Sequence, residues 1–228
     1  MVIVGVNGRI GQELKALAPE MGFSALQGVL KGGPSLERID PAKCDVVVDF
    51  SLPEATEETA RWCGQNLRPL VSGVTGLSSA QMQALQAAAQ KTAVFHSANM
   101  SLGVAVLAKM LASLAALKGF DFQIEEIHHR EKKDQPSGTA LLLQRALQSN
   151  LTATVPAPLS IRGGGVFGVH RILALGGEEI LTLEHTAMNR RVFARGALKA
   201  ASWVLSQPPG FYGMPDLIAS TAAIASAN

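Results

Sequence analysis

A chain of 228 residues that is 47% hydrophobic and 5% aromatic can bury one large core or two modest ones, with Ala, Leu, Val and Gly carrying the packing. A formal charge of +2 and the lack of any Lys/Arg block argue against a nucleic-acid partner. The longest apolar window, Val104–Leu117, is interrupted by Lys109 and is too short to cross a bilayer, so a soluble protein is expected.

Cys44 and Cys63 lack CxxC spacing, which makes a reduced, cytoplasmic setting the expectation. The apolar start has no basic flank and no cleavage pattern. Val2-Ile3-Val4-Gly5-Val6 reads as a buried parallel strand, running through Gly5-Val6-Asn7-Gly8-Arg9-Ile10-Gly11 into a helical pattern. Strand, glycine turn and helix form the context in which backbone N–H groups reach a pyrophosphate, because side chains are absent there. Asn7 takes the middle glycine position of GxGxxG; Asn tolerates a left-handed backbone, so the turn survives with a weaker match. The same turn also suits a βα connection without a ligand.

A second strand is expected over Ala25–Leu30, followed by Lys31 where dinucleotide folds usually place an acid for the ribose hydroxyls. A lysine there, with Arg9, suits a 2′-phosphate and points toward NADPH; a solvated loop lysine is the plainer reading. Further strands are expected at Asp45–Phe50, Pro69–Ser72 and Ala93–His96, with helices through about Asn66 and from Ser79 to Gln90. Such alternation implies a doubly wound parallel sheet, with ligands outside the carboxyl ends of the strands. Gly73-Val74-Thr75-Gly76 and Ser97-Ala98-Asn99-Met100 follow two of those ends.

From about Met100 the pattern changes. Gly103–Lys118 is expected to be one long Ala/Leu helix, and Phe120–Glu125 alternates with period two. Val169–Leu175 and Glu179–Thr186 flank Gly176-Gly177, a hairpin signal, and Arg195–Leu205 returns as a helix. The expected domains are residues 1–100 joined by the tail 207–228, and residues 101–206. The end from Ala219 reads as a weak helix or frayed tail.

Between these lies Glu126-Ile127-His128-His129-Arg130-Glu131-Lys132-Lys133-Asp134-Gln135-Pro136-Ser137-Gly138-Thr139-Ala140. A strand ends on two histidines, a lysine follows, and a Ser-Gly-Thr turn opens a helix. Adjacent strand residues point apart, so His128 and His129 can do different jobs. Lys132 can bind a carboxylate or deliver a proton. Ser137-Gly138-Thr139 could hold an anion, although spacing alone favours an N-cap by Ser137. No third ligand stands at metal-binding spacing, so no metal is expected.

This stretch resembles the signature of the 4-hydroxy-tetrahydrodipicolinate (dihydrodipicolinate) reductase family, E-x-H-H-x-x-K-x-D-x-P-S-G-T-A. Gly5–Gly11, Gly73–Gly76, Ser97–Val104, Arg162–His170 and Phe193–Ala197 are also similar to that family, so the resemblance spans nearly the whole chain. It implies a Rossmann-type doubly wound parallel sheet plus an α+β substrate and oligomerisation domain with a mixed or antiparallel sheet. It implies NADPH and/or NADH as cofactor, a small dicarboxylate substrate, and a homotetramer whose domains close on the ligands. By analogy His128 is the proton donor/acceptor and Lys132 the proton donor, with His129, Ser137, Gly138 and Thr139 binding substrate. Gly5, Val6, Asn7, Gly8, Arg9 and Ile10 would hold the pyrophosphate, while Lys31 departs from the family in standing where many members carry an acid. Gly73, Val74 and Thr75, with Ser97, Ala98, Asn99 and Met100, would approach the nicotinamide. The implied reaction is hydride transfer to the substrate ring and protonation at carbon, in the diaminopimelate route to lysine. A dehydrogenase of a related amino-dicarboxylate and a non-catalytic NAD(P)-sensing protein are the competing readings.

Overall fold

The computed structural model describes residues 1–23, 26–29 and 35–225, in two compact units. The first contains residues 1–100 and 191–228, the second residues 101–190.

The first unit carries a six-stranded sheet, β1 (Val2–Val4), β2 (Gln27–Val29), β3 (Val47–Asp49), β4 (Leu70–Ser72), β5 (Ala93–His96) and β10 (Gly210–Tyr212). Its order is β2-β1-β3-β4-β5-β10 and every pairing is parallel. The strands are short apolar runs because both faces are covered. On one face lie α2 (Pro53–Asn66) and α3 (Ser79–Ala89), whose Ala60, Cys63, Leu85 and Ala88 pack with Val2, Val47, Leu70 and Val94. On the other lie α1 (Arg9–Leu17) and α6 (Arg191–Val204), with Phe95 edge-on to Trp203 at 6.1 Å between ring centres. The closing helix α7 spans Met214–Ala225.

Residues 191–206 therefore do not belong with the second domain, contrary to the sequence expectation. The Ala-rich face of α6, with Ala194, Ala197, Ala200 and Ala201 all buried, packs on α1 and on β3, β4 and β5. The tail adds a strand beside β5, and of the weak helix or frayed end expected from Ala219 the helix is found, as part of α7.

The second unit carries a mixed four-stranded sheet of order β7-β6-β8-β9, from β6 (Asp121–His128), β7 (Leu159–Arg162), β8 (Val169–Leu175) and β9 (Ile180–Thr186). The β6–β7 pair is parallel and the other two pairs are antiparallel. The expected Gly103–Lys118 helix breaks into α4 (Leu102–Met110) and a 3-10 segment over Leu111–Ala116. Tightening that stretch turns Leu111 and Leu114 into the same core as Leu107. They pack with Leu143 and Leu147 of α5 (Gly138–Gln148) against Phe122, Ile124 and Ile172 of the sheet.

On β6 the residues facing this core run Phe122, Ile124, Glu126, His128, all buried. On β8 the corresponding row runs Ala174, Ile172, His170. Toward one end of the sheet, apolar packing gives way to buried titratable groups. That change of chemistry along one face places the site.

Candidate functional site

In the first unit the β1–α1 turn is built on close backbone contacts. Gly5 has φ +80° and a Cβ there would meet the Phe50 carbonyl oxygen at 2.7 Å; at Gly11 a Cβ would meet the Gly5 oxygen at 2.2 Å. The left-handed position of the turn is Gly5, where the chain turns under Phe50, and the turn makes no such demand on Asn7. Gly8 is the N-cap of α1 and supplies no side-chain cap, so the first N–H groups of the helix take none from it.

Beside this turn, at the carboxyl ends of β1, β2 and β3, is a cavity of about 590 Å³. Gly5, Asn7 and Gly8 form one wall; Val29, Leu36 and Leu52 make apolar surface, and Glu54 and Glu58 enter from α2. A glycine cradle, a helix N-terminus and an apolar cavity at this edge fit a dinucleotide. Val6, Arg9 and Ile10 share the turn but lie outside the cavity lining, and among the described lining residues there is no cation. Lys31 lies outside the described residues.

Gly73-Val74-Thr75 and Ser97-Ala98-Asn99-Met100 leave adjacent strands, tied where Ser97 N–H donates to the Ser72 carbonyl at 3.2 Å. A Cβ on Gly73 would meet Phe50 Cε1 at 2.3 Å, so the glycine lets that ring lie across the turn. Ser97 Oγ donates to the Asn99 carbonyl at 2.7 Å, closing the second turn on itself.

Sequence reasoning passed over Asp49, at the end of β3 and fully buried. Its Oδ1 accepts from Ser51 N–H at 2.9 Å and Ser51 Oγ at 2.6 Å, while Oδ2 has no partner among the described residues. Burial pushes the carboxyl from 3.8 up to about 6, against those two hydrogen bonds. With a raised folded pKa, the group's contribution to stability is full below its unfolded value and is lost as pH rises through the folded one. Asp49→Asn cannot lose it. The stability of Asp49→Asn minus that of the wild type should therefore rise by up to about 3 kcal/mol between about pH 4 and pH 7, read by denaturant unfolding.

In the second unit, of the expected residues Lys132 acts on His128, which is otherwise surrounded by Glu126, Arg162 and His170. Its Nδ1 hydrogen-bonds Glu126 Oε2, and Arg162 Nη2 donates to Glu126 Oε1 at 2.7 Å. Burial pushes the Glu126 carboxyl up, but Arg162 and His128 outweigh it and leave the group below its ordinary value. Burial lowers His128 below its usual range despite Glu126. His170 stands opposite Glu126 in register, its ring 5.1 Å from that of His128, and burial lowers it to about 4. Its Nε2 shares a 3.3 Å hydrogen bond with Ser137 Oγ.

Lys132 is ion-paired with Asp134 at 2.8 Å. Burial raises Asp134, but that lysine and the Gly138 N–H hold its carboxyl below normal, so an internal carboxylate rests at the start of α5. Ser137 is the N-cap, its Oγ accepting from Ala140 N–H at 3.2 Å, as spacing favoured. Gly138 is exposed and Thr139 half-buried in the first turn; His129 is half-buried beside His128.

Glu126, His128 and His170 each offer one N or O within 4.8 Å of the others, a third donor that the sequence spacing did not reveal. Arg162 is ion-paired with Glu126 at 2.7 Å, so a positive charge already stands beside the three groups. Glu126 stood in the sequence signature without a role. His170 closed the family-like stretch Arg162–His170, also without a role, and only the pairing of β8 with β6 sets it opposite Glu126.

Two family models match the chain: "Dihydrodipicolinate reductase, N-terminus" over residues 1–100, and "Dihydrodipicolinate reductase, C-terminus" over residues 103–218. A 4-hydroxy-tetrahydrodipicolinate reductase of Bdellovibrio bacteriovorus is 43% identical over 224 residues, covering 95% of this chain and 94% of the relative. That of Xanthomonas euvesicatoria is 40% identical over 233 residues, covering 96% and 97%. A dipicolinate-bound dihydrodipicolinate reductase from Paenisporosarcina shares the fold, with TM-score 0.75 and 24% identity, covering 94% of this chain and 97% of that one. The chain belongs to the dihydrodipicolinate reductase family.

Proposed function

We propose that the protein reduces 4-hydroxy-tetrahydrodipicolinate to tetrahydrodipicolinate with NADPH or NADH, in the diaminopimelate route to lysine. The observation that carries this reading is the 43% identity across 95% of the chain, with the whole Glu126–Ala140 signature in place.

The glycine turn Gly5–Ile10 would hold the pyrophosphate, and the two turns at Gly73–Thr75 and Ser97–Met100 the nicotinamide end. When bound, the reduced nicotinamide supplies the hydride. Loss of water takes the hydroxyl together with a proton from the neighbouring ring carbon; hydride then adds to the ring, and His128 and Lys132 hold and move the proton that returns to carbon. His129, just past β6, and Gly138 and Thr139, in the first turn of α5 that Ser137 caps, orient the dicarboxylate.

The test follows the loss of reduced-nicotinamide absorbance with freshly generated substrate. Turnover with both cofactors supports the reading; no turnover, or activity only with aspartate and NAD⁺, defeats it. Lys31→Glu should lower kcat/KM for NADPH relative to NADH several-fold, since a carboxylate repels a 2′-phosphate. An unchanged ratio removes Lys31 from the cofactor site.

The protein is further proposed to work as a cytoplasmic homotetramer. Leu159 and Ile161 on β7 and Ile180 and Leu181 on β9 expose apolar surface, and both cysteines are buried and free. No helix among the described residues is long and apolar enough to cross a membrane. Light scattering should return four times the 23.9 kDa chain mass, and Ile180→Lys should lower it.

A further inference from the structure

Glu126 is fully buried, with both oxygens committed. Oε1 takes Arg162 Nη2 at 2.7 Å and Ser137 N–H at 3.3 Å, and Oε2 meets His128 Nδ1. An ionised carboxylate only accepts hydrogen bonds, so the nitrogen facing it must carry the hydrogen. We infer that Glu126 is a positioning residue for His128: it locks the imidazole in the Nδ1–H tautomer and leaves Nε2 as the nitrogen that takes up and releases the reaction's proton. This assignment rests on the reductase reading above.

Two further features agree with it. A Cβ on Gly168 would lie 3.0 Å from His128 Nε2, so glycine keeps the face of that nitrogen open. Arg162 also donates to the carbonyls of Lys132 at 3.2 Å and Asp134 at 2.6 Å, tying the loop that carries Lys132 to the same carboxylate. The groups facing His128 are Glu126 on its own strand, Lys132 in the following loop, Arg162 on β7 and His170 on β8. Of the charges among them, Glu126 favours the imidazolium and Lys132 and Arg162 oppose it.

Glu126→Gln separates positioning from mere packing. An amide has one accepting oxygen, and Arg162 and the Ser137 N–H claim it. The NH₂ is then turned on His128, whose Nδ1 must accept, and the proton moves to Nε2. Nitrogen NMR of histidine-labelled free protein should show His128 protonated on Nδ1 in the wild type and on Nε2 in Glu126→Gln. That reading needs no substrate, so it stands or falls apart from the proposed reaction. In turnover, kcat should fall at least about 10-fold with the substrate KM little changed, and the limb of the pH profile due to His128 should move to lower pH. Glu126→Asp, which keeps the charge, should hold that limb near its wild-type place. A wild-type tautomer and profile in Glu126→Gln would overturn the proposal. Should that variant not fold, Gly168→Ala carries the test: kcat falls with Nδ1–H retained, and an unchanged kcat overturns it.

Discussion

Replacing His128 by Gln is expected to lower kcat by about 10²–10⁴-fold, the range for loss of a positioned acid/base group. The glutamine amide can still donate toward Glu126, so the buried carboxylate keeps a partner and melting should move little. What is lost is a nitrogen that can change its protonation state. Lys132→Ala should fall in the same range for a different reason. Its ammonium is ion-paired with Asp134 and only partly exposed, and removal frees that carboxylate at the start of α5, where an anionic substrate is expected. Lys132→Ala should therefore also raise the substrate KM, whereas His128→Gln should act on kcat. Near-native kcat in either folded variant would remove that residue from the proton path.

The largest expected stability effect lies in the other unit. A Cβ on Gly196 of α6 would stand 1.7 Å from the Met100 carbonyl oxygen. The obstacle is backbone, which cannot rotate away as a side chain can. Overpacking of this kind costs about 3 kcal/mol or more, which for a chain of this size lowers Tm by roughly 6–12 °C. Relief comes only by pushing the Ser97–Met100 turn outward, so the KM for the cofactor should rise as well. Gly177→Ala is the control, because nothing lies within 4 Å of its would-be Cβ. Its Tm should match the wild type within about 1 °C. Equal melting of the two variants would show that α6 does not press on that turn.

The first unit was legible because buried parallel strands are continuous apolar runs bounded by turns, and β1, β3, β4 and β5 each lead to a helix opened by a glycine, a proline or a capping serine. Two strands gave no such signal. Leu159–Arg162 lies between a proline-rich approach and three glycines, and Gly210–Tyr212 follows two prolines. Each is a strand because a neighbour, β6 or β5, has an edge to pair. The break at Leu111 was hidden for the opposite reason, since an Ala/Leu run contains nothing that stops a helix and only packing on Phe122 and Leu143 decides it. The domain boundary moved to Arg190 because a helix with small residues on one face can dock closely wherever another backbone accepts it.

At the site, proximity in sequence made His128, Lys132 and the Ser-Gly-Thr turn visible. Their control lies elsewhere: Arg162 and His170 arrive from β7 and β8, and only strand pairing brings them to Glu126. The cavity beside the β1–α1 turn shows the same division. Its glycine turn was plain, while Leu36, Glu54 and Glu58 come from segments with no binding pattern of their own.

The most direct test of hydride transfer to the ring uses reduced nicotinamide carrying deuterium at the transferred position, with product analysed by mass spectrometry. The wild-type protein is expected to pass this deuterium to a ring carbon of tetrahydrodipicolinate. Unlabelled product, or oxidation of the cofactor without reduced product, would contradict it.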